Sequence, residues 1–338
     1  MSGRGSTSTP GQGLPASVVA LGGGTGLPVV LRGLRPLVSG GEVKDLTAVV
    51  AMTDDGGSSG RLRETRGLPP PGDLRNCLTA LSDEEDLLAA LFQHRYGGKD
   101  EGLGGHNLGN LILAALAEQT GSFLKAVEVS SKVLRTCGRI LPATLDDVAL
   151  EAVLDDGSRV VGETNITGCG HNVRQVLLRP VTAAPTPGVV DSIREADLVV
   201  IGPGSLFTSV VPNLVVPEVG RALVETAAVV VFVANLVSDT ESRGLSLLDH
   251  VEIVEKHAGG AVVDAVLAHE GPIDEATLAR YREEGALPLQ WPESDRGSYR
   301  VVRRNLLAPG EMLRHEPAAT AEGVVAAWQE VFGSVLNQ

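Results

Sequence analysis

Val18-Val19-Ala20-Leu21-Gly22-Gly23-Gly24-Thr25-Gly26-Leu27-Pro28-Val29-Val30-Leu31 is the stretch on which the fold turns. Its first four residues are apolar and partly β-branched, which predicts a buried strand. Glycines and one threonine then break the run. An apolar segment of helical period follows, with Pro28 in its first turn, where the missing N–H does no harm. Strand, glycine turn and helix start leave several backbone N–H groups pointing at one spot, and the helix dipole favours an anion there. Glycine also lets a phosphate come close to the backbone. Gly22, Gly23, Gly24, Thr25 and Gly26 are therefore expected to cradle a nucleotide phosphate, the alternative being a tight turn between core elements. It is a nonstandard cradle. A Walker loop would end Gly-Lys-Ser/Thr, but Leu27 follows Gly26. A dinucleotide fingerprint would need its third glycine where Leu27 stands.

Residues 46–52 form a second apolar run, so strand, helix and strand make a βαβ unit and the sheet starts parallel. The expected fold is α/β, a Rossmann-like doubly wound sheet that is mainly parallel. Ligands in such sheets sit beyond the carboxyl ends of strands. The cradle and the loop Thr53-Asp54-Asp55-Gly56-Gly57-Ser58-Ser59-Gly60-Arg61 should then face one crevice. A proline-rich loop leads to Asp73, placed to cap the next helix. Ser82-Asp83-Glu84-Glu85 is a capping-box start for a helix to about residue 94. Further helices are expected from the Gly104-Gly105-His106-Asn107-Leu108-Gly109-Asn110 run to about 118 and over 122–134. Residues 73–135 thus predict a helical layer over the crevice.

Residues 145–180 read as an insertion. Strands at 148–154 and 159–166 flank an Asp155-Asp156-Gly157 turn, with a third strand near 173–178. The α/β pattern then resumes: a short helix ending at 191–196, a strand at 198–201, and a second glycine turn, Gly202-Pro203-Gly204-Ser205-Leu206-Phe207-Thr208-Ser209. A strand at 229–234 ends at Asn235. Helix 247–257, strand 262–268, helix 275–284 and a last helix at 319–332 follow. Residues 1–16, rich in Ser, Gly, Thr and Pro, read as a disordered tail, and 17–335 as one domain.

Composition narrows the function. The 338 residues are 43% hydrophobic, enough for a large core, and carry a net charge of −14 without a basic cluster. That argues against a nucleic-acid groove. Three cysteines without a Cys-x-x-Cys suit a reducing cytoplasm and argue against a disulfide framework. No apolar run is long enough to span a membrane. Whether the chain forms a homo-oligomer is left open.

The two glycine turns, the Thr53–Arg61 loop, Pro70-Pro71-Gly72-Asp73-Leu74-Arg75 and Gly105-His106-Asn107-Leu108-Gly109-Asn110-Leu111, in this order, resemble the YvcK-type gluconeogenesis factors over roughly residues 17–333. The 2-phospho-L-lactate transferases of coenzyme F420 synthesis are the nearest enzyme relatives of that family. The resemblance implies a CofD-like α/β domain that binds UDP-N-acetylglucosamine and regulates carbon metabolism, cell-wall precursor supply and cell shape through a protein partner. It implies a Mg²⁺ site at Asp54 and Asp73 on the transferase side, and UDP-sugar contacts from Tyr281 and Arg314. It departs from the family at Val237-Ser238-Asp239-Thr240-Glu241.

Each candidate has an ordinary alternative. Asp54, Asp55 and Asp73 offer oxygen ligands for Mg²⁺, yet Asp73 could only cap a helix and Asp54 only brace its loop. Arg61, Arg63 or Arg75 could fork onto a diphosphate or pair with those aspartates. Asn107 could cap the helix that contains Asn110. Gly202, Gly204 and Ser205 could hold a second phosphate or sugar, with Asn235 on the same side. Tyr281 could stack on a ring or pack in the core. Three functions compete: a UDP-sugar-binding regulator without turnover, a Mg²⁺-dependent transferase, and an NAD-linked oxidoreductase, the last weakened by the missing fingerprint glycine.

Overall fold

The computed structural model describes residues 13–82, 87–98, 102–283, 285–291 and 299–336. Ten strands are found among them: β1 (Ser17–Gly22), β2 (Asp45–Val50), β3 (Arg139–Pro142), β4 (Ala149–Leu154), β5 (Arg159–Val161), β6 (Val173–Arg179), β7 (Leu198–Ile201), β8 (Val229–Val233), β9 (Ala265–His269) and β10 (Arg300–Arg304). Seven form one sheet in the order β10-β9-β8-β7-β1-β2-β3, every neighbouring pair parallel. The other three form a small antiparallel sheet, β5-β4-β6. The predicted Rossmann-like α/β class is the one observed.

The helices are α1 (Gly26–Ser39), α2 (Gly57–Arg66), α3 (Gly72–Leu81), α4 (Leu87–Gln93), α5 (Leu108–Thr120), α6 (Phe123–Val133), α7 (Glu163–Gly168), α8 (Val189–Glu195), α9 (Val211–Leu214), α10 (Pro217–Glu225), α11 (Leu247–Ala258), α12 (Glu275–Glu283) and α13 (Pro317–Leu336). None among the described residues is long and apolar enough to cross a membrane.

Alternate residues of β1 feed two cores. Val18 and Ala20 pack with Leu27, Leu31 and Leu34 of α1, Leu74 and Leu78 of α3, and Val324 and Trp328 of α13. Val19 and Leu21 pack on the opposite face with Leu150 of β4, Val176 of β6 and Val251 of α11. Covering both faces demands an uninterrupted apolar strand, which is why β1 was legible. Helices α3–α6, the predicted layer at 73–135, lie on the α1 face of the sheet, and Asn76 of α3 and Gln93 at the end of α4 reach the crevice.

Two local expectations are corrected. Half of the Thr53–Arg61 loop is helix α2, whose Gly-Ser-Ser-Gly start has low helix propensity. The second hairpin strand stops at Val161, and α7 begins at Glu163. Asp55 caps α7 from a distant loop, accepting Thr164 N–H at 2.9 Å and its hydroxyl at 2.7 Å. No local pattern announces such a cap. Residues 1–12 of the predicted tail and 83–86 of the predicted capping box lie outside the described residues, as does Glu284.

Candidate functional site

Strand order reverses between β1 and β7, which pair in register from Val18 with Leu198 to Leu21 with Ile201. Their connections leave in opposite directions, so a crevice opens at their carboxyl ends. A cleft of about 490 Å³ lies there. Of the predicted residues, Thr25, Gly26, Gly204, Ser205, Asn235 and Arg314 line it. Gly22, Gly23, Gly24 and Gly202 form the turns behind.

The two turns are in contact. A Cβ on Gly26 would fall 2.1 Å from the Pro203 carbonyl oxygen, so only glycine permits this approach. In the first turn, Gly24 N–H donates to Asp73 Oδ2 at 2.6 Å. Asp73 therefore spans to the cradle and does not cap its own helix, as the sequence had suggested. The Thr25 side chain does not cap α1, and the N–H groups of Thr25 and Gly26 meet no acceptor among the described residues. The start of a 14-residue helix thus opens into the cleft with free donors.

The second turn is braced from within. The Asn235 carboxamide accepts Gly204 N–H at 2.9 Å and donates to the Gly204 carbonyl at 2.8 Å. Asp239 accepts Leu206 N–H and the Asn235 amide, both at 3.2 Å. Burial, with the neighbouring Glu241, pushes the Asp239 carboxyl up to about 7. Asn235 thus shapes the loop, and Ser205 presents to the cleft.

Two arginines face this space. Arg32 lies seven residues beyond Thr25, two turns along the same side of α1. Arg314 approaches from the segment before α13. Both are exposed and neither makes an ion pair among the described residues. Desolvation lowers the Arg32 pKa, opposed by Cys77 and reinforced to a lesser degree by Arg35 and Arg314. Tyr281 does not line the cleft. Its hydroxyl accepts Leu313 N–H at 3.1 Å and so holds the loop that carries Arg314.

Behind the first turn sit carboxyl groups. Asp54 accepts Gly56 N–H at 2.9 Å, and Thr53 donates to Glu163 Oε2 at 3.3 Å. Burial, then Asp54 and Asp73, push Glu163 up to about 9; burial raises Asp73 to about 6. No three His, Cys, Asp or Glu side chains among the described residues are grouped to hold a metal ion; a Mg²⁺ held by one or two carboxylates together with substrate phosphates needs no such group.

The remaining candidates serve the frame. Arg61 donates to Gly104 O at 2.8 Å, and Arg63 pairs with Asp147 at 2.5 Å. Arg75 is buried, donates to Asn76 at 2.8 Å, and is pushed down to about 10 by burial. Asn107 caps α5 through Gly109 and Asn110 N–H; Asn110 is buried, its Oδ1 without a partner. Sequence reasoning missed Arg32, Asn76, Gln93, Asp239, His315 and Glu163. Only Arg32 had a local signal, its helical spacing from Thr25.

A switch-point cleft with an open helix start and facing arginines is what an α/β anion-binding protein builds. The family model described as 2-phospho-L-lactate transferase CofD matches residues 18–307. The chain is 41% identical over 317 residues to the gluconeogenesis factor of Bacillus subtilis (strain 168), covering 93% of this chain and 98% of that one. It is 40% identical to the gluconeogenesis factor of Halalkalibacterium halodurans, covering 91% and 95%. A crystal structure described as a member of the UPF0052 family from Bacillus halodurans superposes with a TM-score of 0.86 at 39% identity, over 92% of this chain and 99% of that one. The chain belongs to the CofD family, in its gluconeogenesis-factor group.

Proposed function

We propose that the protein binds a nucleotide sugar, UDP-N-acetylglucosamine, in the switch-point cleft and acts in the cytoplasm as a regulator of carbon metabolism, cell-wall precursor supply and cell shape. One observation carries this: N–H groups of Thr25 and Gly26 that meet no acceptor among the described residues share a cleft with Arg32 and Arg314, neither of which makes an ion pair among those residues. A diphosphate meets all four needs at once. Its oxygens accept the N–H groups, complement the helix dipole and neutralise both guanidinium groups. Signalling follows if a protein partner binds the liganded and empty states with different affinity.

Calorimetry with UDP-N-acetylglucosamine, GDP and NAD tests it. The UDP-sugar should bind tightest. Arg32→Ala and Arg314→Ala should each weaken binding by about 10- to 100-fold, the loss of one charge-assisted bond. Unchanged affinity in both variants would sink the proposed site.

A transferase remains the second reading, favoured by Asp54, Asp73 and Glu163 behind the cradle. Incubation of the protein with nucleotide donor, acceptors and Mg²⁺, followed by mass spectrometry, decides it: turnover above background supports transfer. Binding that ignores both Mg²⁺ and chelator leaves Asp54 and Asp73 as hydrogen-bonding groups.

A further inference from the structure

The cleft that offers helix donors and two arginines also holds an acid. Among the described residues, four ionisable side chains line it: Arg32, Asp239, Arg314 and His315. The two guanidinium groups keep their charge throughout the neutral range. His315 donates from Nε2 to the Ala234 carbonyl at 3.0 Å, and burial pushes it down to about 4, so it is neutral there. Asp239 is the exception. It belongs to Val237–Glu241, the run at which the chain departs from its family resemblance. Its carboxyl accepts the Leu206 N–H and the Asn235 amide, which fix it to the second turn. Those donors favour the carboxylate, but burial and Glu241 outweigh them and raise Asp239 to about 7. Glu241 is itself buried, and the Thr208 hydroxyl holds it at 3.0 Å. Asp73 and Glu163, behind the first turn, do not line the cleft.

A carboxylate on the wall of an anion site opposes the ligand that the arginines attract. Neutralised, the same carboxyl leaves the helix start and both guanidinium groups unopposed. Resting on the nucleotide-sugar reading above, we propose that the cleft takes up its diphosphate together with a proton, and that Asp239 is the group that holds this proton. The sign follows from the charges. A bound diphosphate is a second negative neighbour for Asp239, beside Glu241, so the complex favours the protonated carboxyl more than the empty protein does. Affinity is therefore full where Asp239 is already protonated and declines as pH rises past its pKa of about 7. Each pKa unit by which the ligand raises Asp239 is a factor of ten in affinity. The diphosphate of a nucleotide sugar is a diester and does not titrate near neutral pH, so a proton taken up on binding belongs to the protein.

Calorimetry with UDP-N-acetylglucosamine at about pH 6, 7.5 and 8.5, each in two buffers of different ionisation enthalpy, reads affinity and proton uptake separately. Wild-type protein should bind about tenfold more weakly at the highest pH than at the lowest, and take up about half a proton at the middle one. Asp239→Asn has no carboxyl to titrate there; its affinity should be the same at all three pH values, with no proton uptake. Glu241→Gln removes the neighbour that raises Asp239 and should move the fall in affinity to lower pH. Equal wild-type affinities without proton uptake overturn the proposal and leave the ligand site standing. A pH dependence that survives Asp239→Asn also overturns it, because another group then holds the proton. Should UDP-N-acetylglucosamine bind at none of the three pH values, the nucleotide-sugar reading fails and the proton linkage with it. Proton uptake is read on the unaltered protein, so a poorly folding variant still leaves a decisive measurement.

Discussion

Glu163 is a residue whose chemistry folding alters strongly. Its carboxyl ordinarily titrates near 4.5 and is pushed up to about 9 by burial and by Asp54 and Asp73. A raised pKa means that the folded state keeps a proton that the unfolded state releases. The associated stability is complete below pH 4.5 and is lost as pH rises towards 9. Glu163→Gln removes this dependence. Its melting temperature should match the wild type near pH 4 and exceed it increasingly between pH 5 and pH 9, as scanning calorimetry would show; a constant difference would mean that Glu163 does not carry the proton. Asp73, at about 6, and Asp239, at about 7, add the same sign over narrower ranges. None of this was legible in the sequence. Glu163 meets Thr53 across 110 residues, and the pattern around it reads as hairpin strand. Arg314 and Thr25, by contrast, were recognisable, one through family resemblance and the other through the glycine turn.

Among the elements, α1 does most to build the cleft, and its position depends on a second close contact. A Cβ on Gly33 would lie 2.1 Å from the Pro317 carbonyl oxygen at the start of α13. Gly33→Ala must push α13 away, and should cost about 1–3 kcal/mol in urea unfolding. Asn107→Ala, which removes the cap of α5, should cost about 1 kcal/mol by the same measurement. An unchanged midpoint in either variant would refute the packing described. The buried strands β1, β2, β7 and β8 were readable because each is an almost unbroken apolar run. The edge strands were not: β10 is Arg-Val-Val-Arg-Arg and β3 has only four residues, so neither rises above the charge and turn signals around it. The Asp-Gly turn revealed β4 and β5, yet the Asp55 cap that ends the hairpin lies in a distant loop.

At the scale of the whole molecule, the cleft joins two halves of the sheet, β1–β3 on one side and β7–β10 on the other. A ligand across it should tie them together. On adding UDP-N-acetylglucosamine at about 100 times its dissociation constant, global stability should rise by about 2.7 kcal/mol. Hydrogen exchange should slow most at residues 24–27, 203–206 and 313–315; protection confined to the small sheet would point to a different site. Helix α7, which follows β5 of the small sheet, also touches both turns' surroundings, through Thr164 with Asp55 and through the Thr167 carbonyl, which the Thr240 hydroxyl reaches at 3.5 Å. The pairing of β1 with β7 has a further consequence in time. Val18 waits for Leu198, 180 residues later, and α1 is covered by α13 only once residues beyond 317 exist. A nascent chain on the ribosome therefore has the glycine turn long before it has a cleft. A ligand that bridges the two turns can therefore bind only once both halves of the sheet and α13 have been made, so it cannot template the folding of the first turn.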